Sequence, residues 1–181
     1  MDRRKSNIVL IGMPGSGKST VGIILAKMMA KNYVDTDVLI QLAENRTLQD
    51  IVNRDGHMAL RGIEERVLLS VSCRDHVIAT GGSAAYSARA MTHLKQDGLC
   101  IFLHVDLPTL KTRIRNYETR GLARRPDQSF QDLFDERFEL YRRYADITIA
   151  ASELSQEAVC EQIIDALKNR TDTMAGGSSL K

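Results

Sequence analysis

The sequence predicts an α/β domain in three layers, a parallel sheet of about five strands flanked by helices. Three observations carry that reading. Segments with strand character alternate with helical ones along the whole chain. The strand segments are short unbroken apolar runs, such as Ile8-Val9-Leu10-Ile11 and Val77-Ile78-Ala79, which suits strands buried on both faces. The polar and glycine-rich punctuation falls after the strands, at the carboxyl ends where such sheets take their ligands.

In chain order, Ile8–Ile11 is the first strand, and the loop Gly12–Thr20 leads into a helix over Val21–Met28. A short strand, Asn32–Asp37, ends in two carboxylates, and Val38–Ala43 reads as a helix. Thr47 suits the N-cap of a helix beginning at Leu48. From His57 to Ser72 the apolar residues Leu60, Ile63, Val67 and Leu68 recur at helical spacing. The strand His76–Thr80 stops at Gly81-Gly82-Ser83, a helix covers Ala84 to about Lys95, and Leu99–Val105 is the next strand. Pro108 sits near a helix N-terminus, where its missing N–H does no harm. The polar stretch Asn116–Gln128, holding Gly121 and Pro126, reads as a loop. Ser129 can cap a helix to about Tyr144; Ile147–Ala150 is the last strand and Gln156–Lys168 the last helix. Residues 1–168 therefore form one domain, and the polar 169–181, with Gly176-Gly177-Ser178-Ser179, reads as a disordered tail.

Composition fits that picture. At 181 residues, 43% hydrophobic and 27% charged, the chain is long enough for one real core. A net charge of +2 argues against a dedicated nucleic-acid partner. Cys73, Cys100 and Cys160 follow no metal or redox pattern, which points to reduced thiols in the cytoplasm. The apolar run behind the basic start breaks at Gly12, too soon for a signal peptide or a membrane span.

The chemistry concentrates in Gly12-Met13-Pro14-Gly15-Ser16-Gly17-Lys18-Ser19-Thr20, which fills every fixed position of the phosphate-loop template. Glycines let successive N–H groups curl around a polyphosphate at a helix N-terminus. Gly15, Ser16, Gly17, Lys18, Ser19 and Thr20 are the expected ATP contacts, with Lys18 reaching the β- and γ-phosphates and Ser19 available to Mg²⁺.

Other candidates are read beside plainer roles. Asp35 and Asp37 stand two apart at a strand end: one can serve Mg²⁺ and the other an acceptor hydroxyl, while either can cap the following helix. Arg61 lies three and four residues before Glu64 and Glu65, the spacing of a surface ion pair. Gly81-Gly82 is a turn or a bare surface that a substrate can approach. Arg120, Arg124 and Arg125 suit a lid over about 116–128 that neutralises the γ-phosphate. His57, His76, His93 and His104 show no ligand spacing and are read as structural.

Taken in order, these residues resemble the shikimate kinase family from Ser6 to about Leu167. The resemblance implies a three-layer P-loop kinase fold and, in the cytoplasm, ATP- and Mg²⁺-dependent formation of shikimate 3-phosphate, a step of aromatic amino acid biosynthesis. It assigns Ser19 and Asp35 to Mg²⁺, Asp37 to the substrate hydroxyls, and Arg61 with Arg137 to the substrate carboxylate, replacing the ion-pair reading of Arg61. It places Gly81, Gly82 and Ser83 against the substrate, Arg125 on the transferring phosphoryl and Arg113, just after a strand, on adenine. Lys18, Asp37 and Arg125 become the catalytic set, and the partners are ATP/ADP and a small-molecule acid acting on a monomer, with no nucleic acid or membrane.

The chain departs from the family pattern on the acceptor and lid side. Ser83 replaces a third glycine, Leu60 stands where phenylalanine is common, and Asp127-Gln128 stand where the family has two leucines. Two other readings therefore stay in play: a sister kinase taking another hydroxy acid such as gluconate, and an ATP-binding regulatory module with no acceptor.

Overall fold

Five parallel strands lie in the order β2-β3-β1-β4-β5, in a computed structural model that describes residues 5–114, 122–125 and 127–176. The strands are β1 (Asn7–Ile11), β2 (Asn32–Asp35), β3 (His76–Ala79), β4 (Gly98–His104) and β5 (Ile147–Ala150). The central strand β1 is buried at all five residues, and Val9 is paired with Ile78 on one side and Cys100 on the other. That double coverage is why its sequence is an unbroken apolar run. The edge strands are more open: no residue of β2 is fully buried, and β5 buries only Ile149.

The helices are α1 (Lys18–Met28), α2 (Thr36–Glu44), α3 (Leu48–Asp55), α4 (His57–Ser70), α5 (Ala88–Lys95), α6 (Leu107–Arg113), α7 (Phe130–Tyr144) and α8 (Gln156–Gly176). The crossover from β1 to β2 runs one way along the sheet and that from β3 to β4 runs the other. Right-handed crossing sends opposite runs to opposite faces. Accordingly α1 packs with α8, and α4 packs with α5. The adjacent ends of β1 and β3 lie where those paths diverge, and a crevice opens there.

The caps at Thr47 and Ser129 are full capping boxes with Asp50 and Asp132. Three expectations need correction. The helix from Ala84 is broken: a short 3₁₀ turn at Ala84–Tyr86 ends at Ser87, whose hydroxyl accepts from the Ala90 N–H and caps α5. The last helix continues past Lys168 to Gly176, so residues 169–176 are helical rather than disordered; that stretch holds no proline, and its first glycine is Gly176. Arg113 does not follow a strand; it is the last residue of α6. Of the expected lid and tail, residues 115–121, 126 and 177–181, with Arg120, Gly121 and Pro126, lie outside the described residues.

The apolar interior has two parts. The larger surrounds β1, β3 and β4 with Val21, Leu25, Met91, Leu133 and Tyr141. A smaller one joins Ile40, Ile51, Leu60, Ile63, Val67 and Ala123 beneath α2, α3 and α4. The second core carries one wall of the crevice.

Candidate active site

A cavity of about 720 Å³ occupies the crevice. Gly15, Gly17, Lys18, Ser19 and Thr20 line one end, and Asp37, Glu64, Gly82, Ser83 and Arg137 line the other. Arg113 and Ala123 also border it.

The phosphate-loop end is built mainly from backbone. Gly15 and Gly17 take φ of +81° and +93°, values in which only glycine is unstrained. Gly17 then precedes the first turn of α1 with no side-chain cap on it, so the helix N-terminus offers its amides to a ligand. The Lys18 ammonium is buried and donates to the carbonyls of Gly12 and Met13 at 2.8 and 2.9 Å. Burial pulls it down to about 8, against the pull of Asp37. The Ser16 hydroxyl is buried without a hydrogen-bond partner.

Beside the loop, the Tyr33 hydroxyl donates to Asp35 at 3.1 Å. Burial and Asp35 hold this phenol well above its usual range, with the Ser19 side chain hydrogen-bonded to it. Ser19 and Asp35 thus meet around one phenol. Asp35 also caps α2, accepting from the Asp37 N–H at 3.0 Å, so both roles considered for that aspartate are compatible.

The far end is built from side chains drawn from distant elements. Arg61 of α4 and Arg137 of α7 both donate through Nη2 to the Ala123 carbonyl, at 3.3 and 2.9 Å. The Arg61 guanidinium lies 3.5 Å from the Tyr86 ring centroid, and that of Arg137 at 5.5 Å. Arg137 is only 1% exposed, yet its Nε and that of Arg61 are buried with no hydrogen-bond partner. The Arg61 surface pair with Glu64 or Glu65 does not form, because Glu64 accepts from the Ser83 hydroxyl and Glu65 from Ser87 and Arg89.

Also at this end, Asp37 lies in the first turn of α2 with its carboxyl pushed up to about 6 by burial and by Asp35. Burial and Asp37 likewise push Glu64 up to about 7. Both carboxylates face Gly81, where a methyl group would lie 2.6 Å from the Asp37 Oδ1 and collide with the Glu64 Oε1. The bare Gly81 therefore makes room for side chains of the protein itself, and its N–H is taken by Thr36 at 3.1 Å. Gly82 accepts from the buried Tyr141 hydroxyl at 2.6 Å.

Two expected site residues are directed elsewhere. Arg125 pairs with Glu136 at 3.6 Å and is not among the cavity-lining residues; Gln128 donates to the same carboxylate at 2.6 Å. Arg113 borders the cavity while its Nη2 donates to Ala151 and Ser152 at 3.3 and 2.9 Å. Sequence reasoning missed the roles of Glu64, Tyr86, Ala123 and Tyr141. Of these only Tyr141 left a signal, one helical turn beyond Arg137 on the same face.

Comparison with known proteins gives one consistent result. The family model "Shikimate kinase" matches residues 14–168. The chain is 38% identical over 165 residues to the shikimate kinase of Rippkaea orientalis, covering 89% of this chain and 87% of the relative. It is 34% identical to that of Sulfurihydrogenibium sp., covering 91% and 99%. A solved structure of shikimate kinase from Acinetobacter baumannii, in complex with shikimate, superposes with a TM-score of 0.84 at 29% identity, covering 91% of this chain and 94% of that one.

Proposed function

The chain belongs to the shikimate kinase family, and from that premise we propose that it transfers the γ-phosphoryl group of ATP to a hydroxyl of shikimate, giving shikimate 3-phosphate. The observation that carries the acceptor half is the pair of arginines. The buried guanidinium of Arg137 and the half-buried one of Arg61 share one carbonyl, and each keeps a buried, unpartnered Nε–H. Such donors call for an anion, and a carboxylate meets arginine's fork through two oxygens.

The phosphate loop takes the donor's phosphates on its amides. Lys18 turns its ammonium from the loop carbonyls to the β- and γ-phosphates. Asp37 orients the attacking hydroxyl and receives its proton, a task suited to a carboxyl poised near neutrality. Catalysis is then mostly positioning and electrostatics. Arg113, anchored by two carbonyls, is read as the support for adenine. Arg125 is read as a further charge on the transferring group, a role that requires exchanging Glu136 for phosphate.

Ser19 and Asp35 would hold Mg²⁺. Their oxygens suit a hard cation, and Mg²⁺ is bound through one or two protein groups plus phosphates and water. No three-residue metal cage occurs among the described residues. When bound, the ion supplies charge neutralisation at the β- and γ-phosphates.

No described helix is long and apolar enough to cross a membrane, and the three free thiols fit a reducing cytoplasm. The test is ADP formation with a panel of hydroxy acids, with ³¹P NMR of the product. Shikimate should be required for ADP release and gluconate should not replace it. Acceptor-independent ADP release, or a preference for gluconate, overturns the assignment.

A further inference from the structure

Ser83 stands where the family resemblance expects a third glycine, and its backbone does not ask for glycine: φ is −101° and ψ 1°. Serine is therefore accommodated without strain, and its side chain has a definite use. Its hydroxyl donates to the Glu64 Oε2. Ser83 is 8% exposed and Glu64 3%, so the bond lies inside the protein. The other Glu64 oxygen, Oε1, faces the bare Gly81 together with the Asp37 Oδ1. Glu64 and Ser83 also line a second cavity of about 380 Å³ that holds Arg61 and Tyr86. The Ser83–Glu64 pair is thus part of the wall between the two spaces.

We propose that Ser83 is a positioning residue for the acceptor half of the site: by holding one oxygen of Glu64 it turns the other toward Asp37, and it sets the pH range over which the acceptor is bound. The inference rests on the acceptor reading above. An ionised Glu64 can accept from a hydroxyl of the acceptor, whereas a protonated one loses an acceptor oxygen. Burial and Asp37 push this carboxyl up to about 7. A donor to the ionised form works in the opposite direction, so the serine keeps Glu64 charged at lower pH than glycine would.

The other charges around Glu64 are accounted for. Asp37 of α2 opposes its ionisation, while Lys18 of α1 and Arg137 of α7 favour it. Arg89 of α5 is paired with Glu65, and Asp50 of α3 is bonded to Thr47.

The test compares wild type, Ser83→Ala, Ser83→Gly, Ser83→Thr and Glu64→Gln between pH 5.5 and 9, reading the KM for shikimate, the KM for ATP and kcat. Wild type should show its shikimate KM rising on the acid side with a midpoint near 7. Removing the hydroxyl should move that midpoint up by about one pH unit, roughly a tenfold change in proton affinity, and leave the KM for ATP unchanged. Threonine should restore the midpoint, and Glu64→Gln should remove the limb near 7. An unmoved midpoint in the folded Ala or Gly variant overturns the proposal, as does a limb near 7 that survives in Glu64→Gln. An infrared titration of the Glu64 carboxyl stretch in the free protein gives the same answer without turnover. If shikimate is not phosphorylated while that titration still shifts, the acceptor reading falls and the Ser83–Glu64 coupling stands.

Discussion

The two ends of the cavity are built by different means. At the phosphate loop, contiguous residues supply backbone amides, two glycine conformations and one lysine. At the arginine end, α4, α7 and the Ala84–Tyr86 turn each supply one or two side chains, and Ala123 supplies the carbonyl the arginines share. That end also rests on its own small core. A backbone-built end fixes a chemistry shared by many enzymes. A side-chain-built end can be retuned at single positions, and the departures at Leu60, Ser83 and Asp127-Gln128 all fall on that side.

The largest effect should come from the loop. Lys18→Ala should lower turnover by at least about 10³-fold, since a preorganised charge on the transferring group is lost. The circular dichroism spectrum should be unchanged, with the Gly12 and Met13 carbonyls left to water. Near-normal ADP formation by that variant would break the distinction between the two ends.

A smaller effect, read in stability, concerns the buried carboxylate. Folding raises the pKa of Glu64 from 4.5 to about 7. The native state therefore binds more protons than the unfolded chain between those values, and stability declines as pH rises through that window. Glu64→Gln should be more stable than wild type by about 3 kcal/mol at pH 8 and no different near pH 4. Urea titrations at the two pH values check the sign.

The smallest effect tests the scaffold of the acceptor wall. Thr47→Ala removes the capping box of α3 and should cost about 1 kcal/mol of stability. Because Thr47 borders the cavity, the KM for shikimate should rise modestly and the KM for ATP should not. Thermal melts with both KM values separate these outcomes.

What the sequence made legible follows the same division. The strand–loop–helix order around Lys18 and the caps at Thr47 and Ser129 are local patterns, so they could be read directly. The parallel sheet followed from unbroken apolar runs. The partners of Arg61 were not legible, because the local spacing to Glu64 and Glu65 suggests a surface pair, whereas Ser83, Ser87, Arg89 and Ala123 reach those groups from far along the chain. The break at Ser87 was hidden because the alanine-rich Ala84-Ala85 has high helix propensity and only the hydroxyl geometry stops it.

The most direct test of a separate, side-chain-built acceptor end is a titration of ATP and of shikimate into wild type, Arg61→Ala and Arg137→Ala. It is repeated with an analogue whose carboxylate is reduced to an alcohol. Each arginine variant should lose about 2–5 kcal/mol of shikimate binding and almost none of ATP binding. The alcohol analogue should bind wild type weakly and lose little more in either variant, since the contact is already gone. Full shikimate affinity in either variant, or an equal loss for shikimate and the alcohol, would contradict the account.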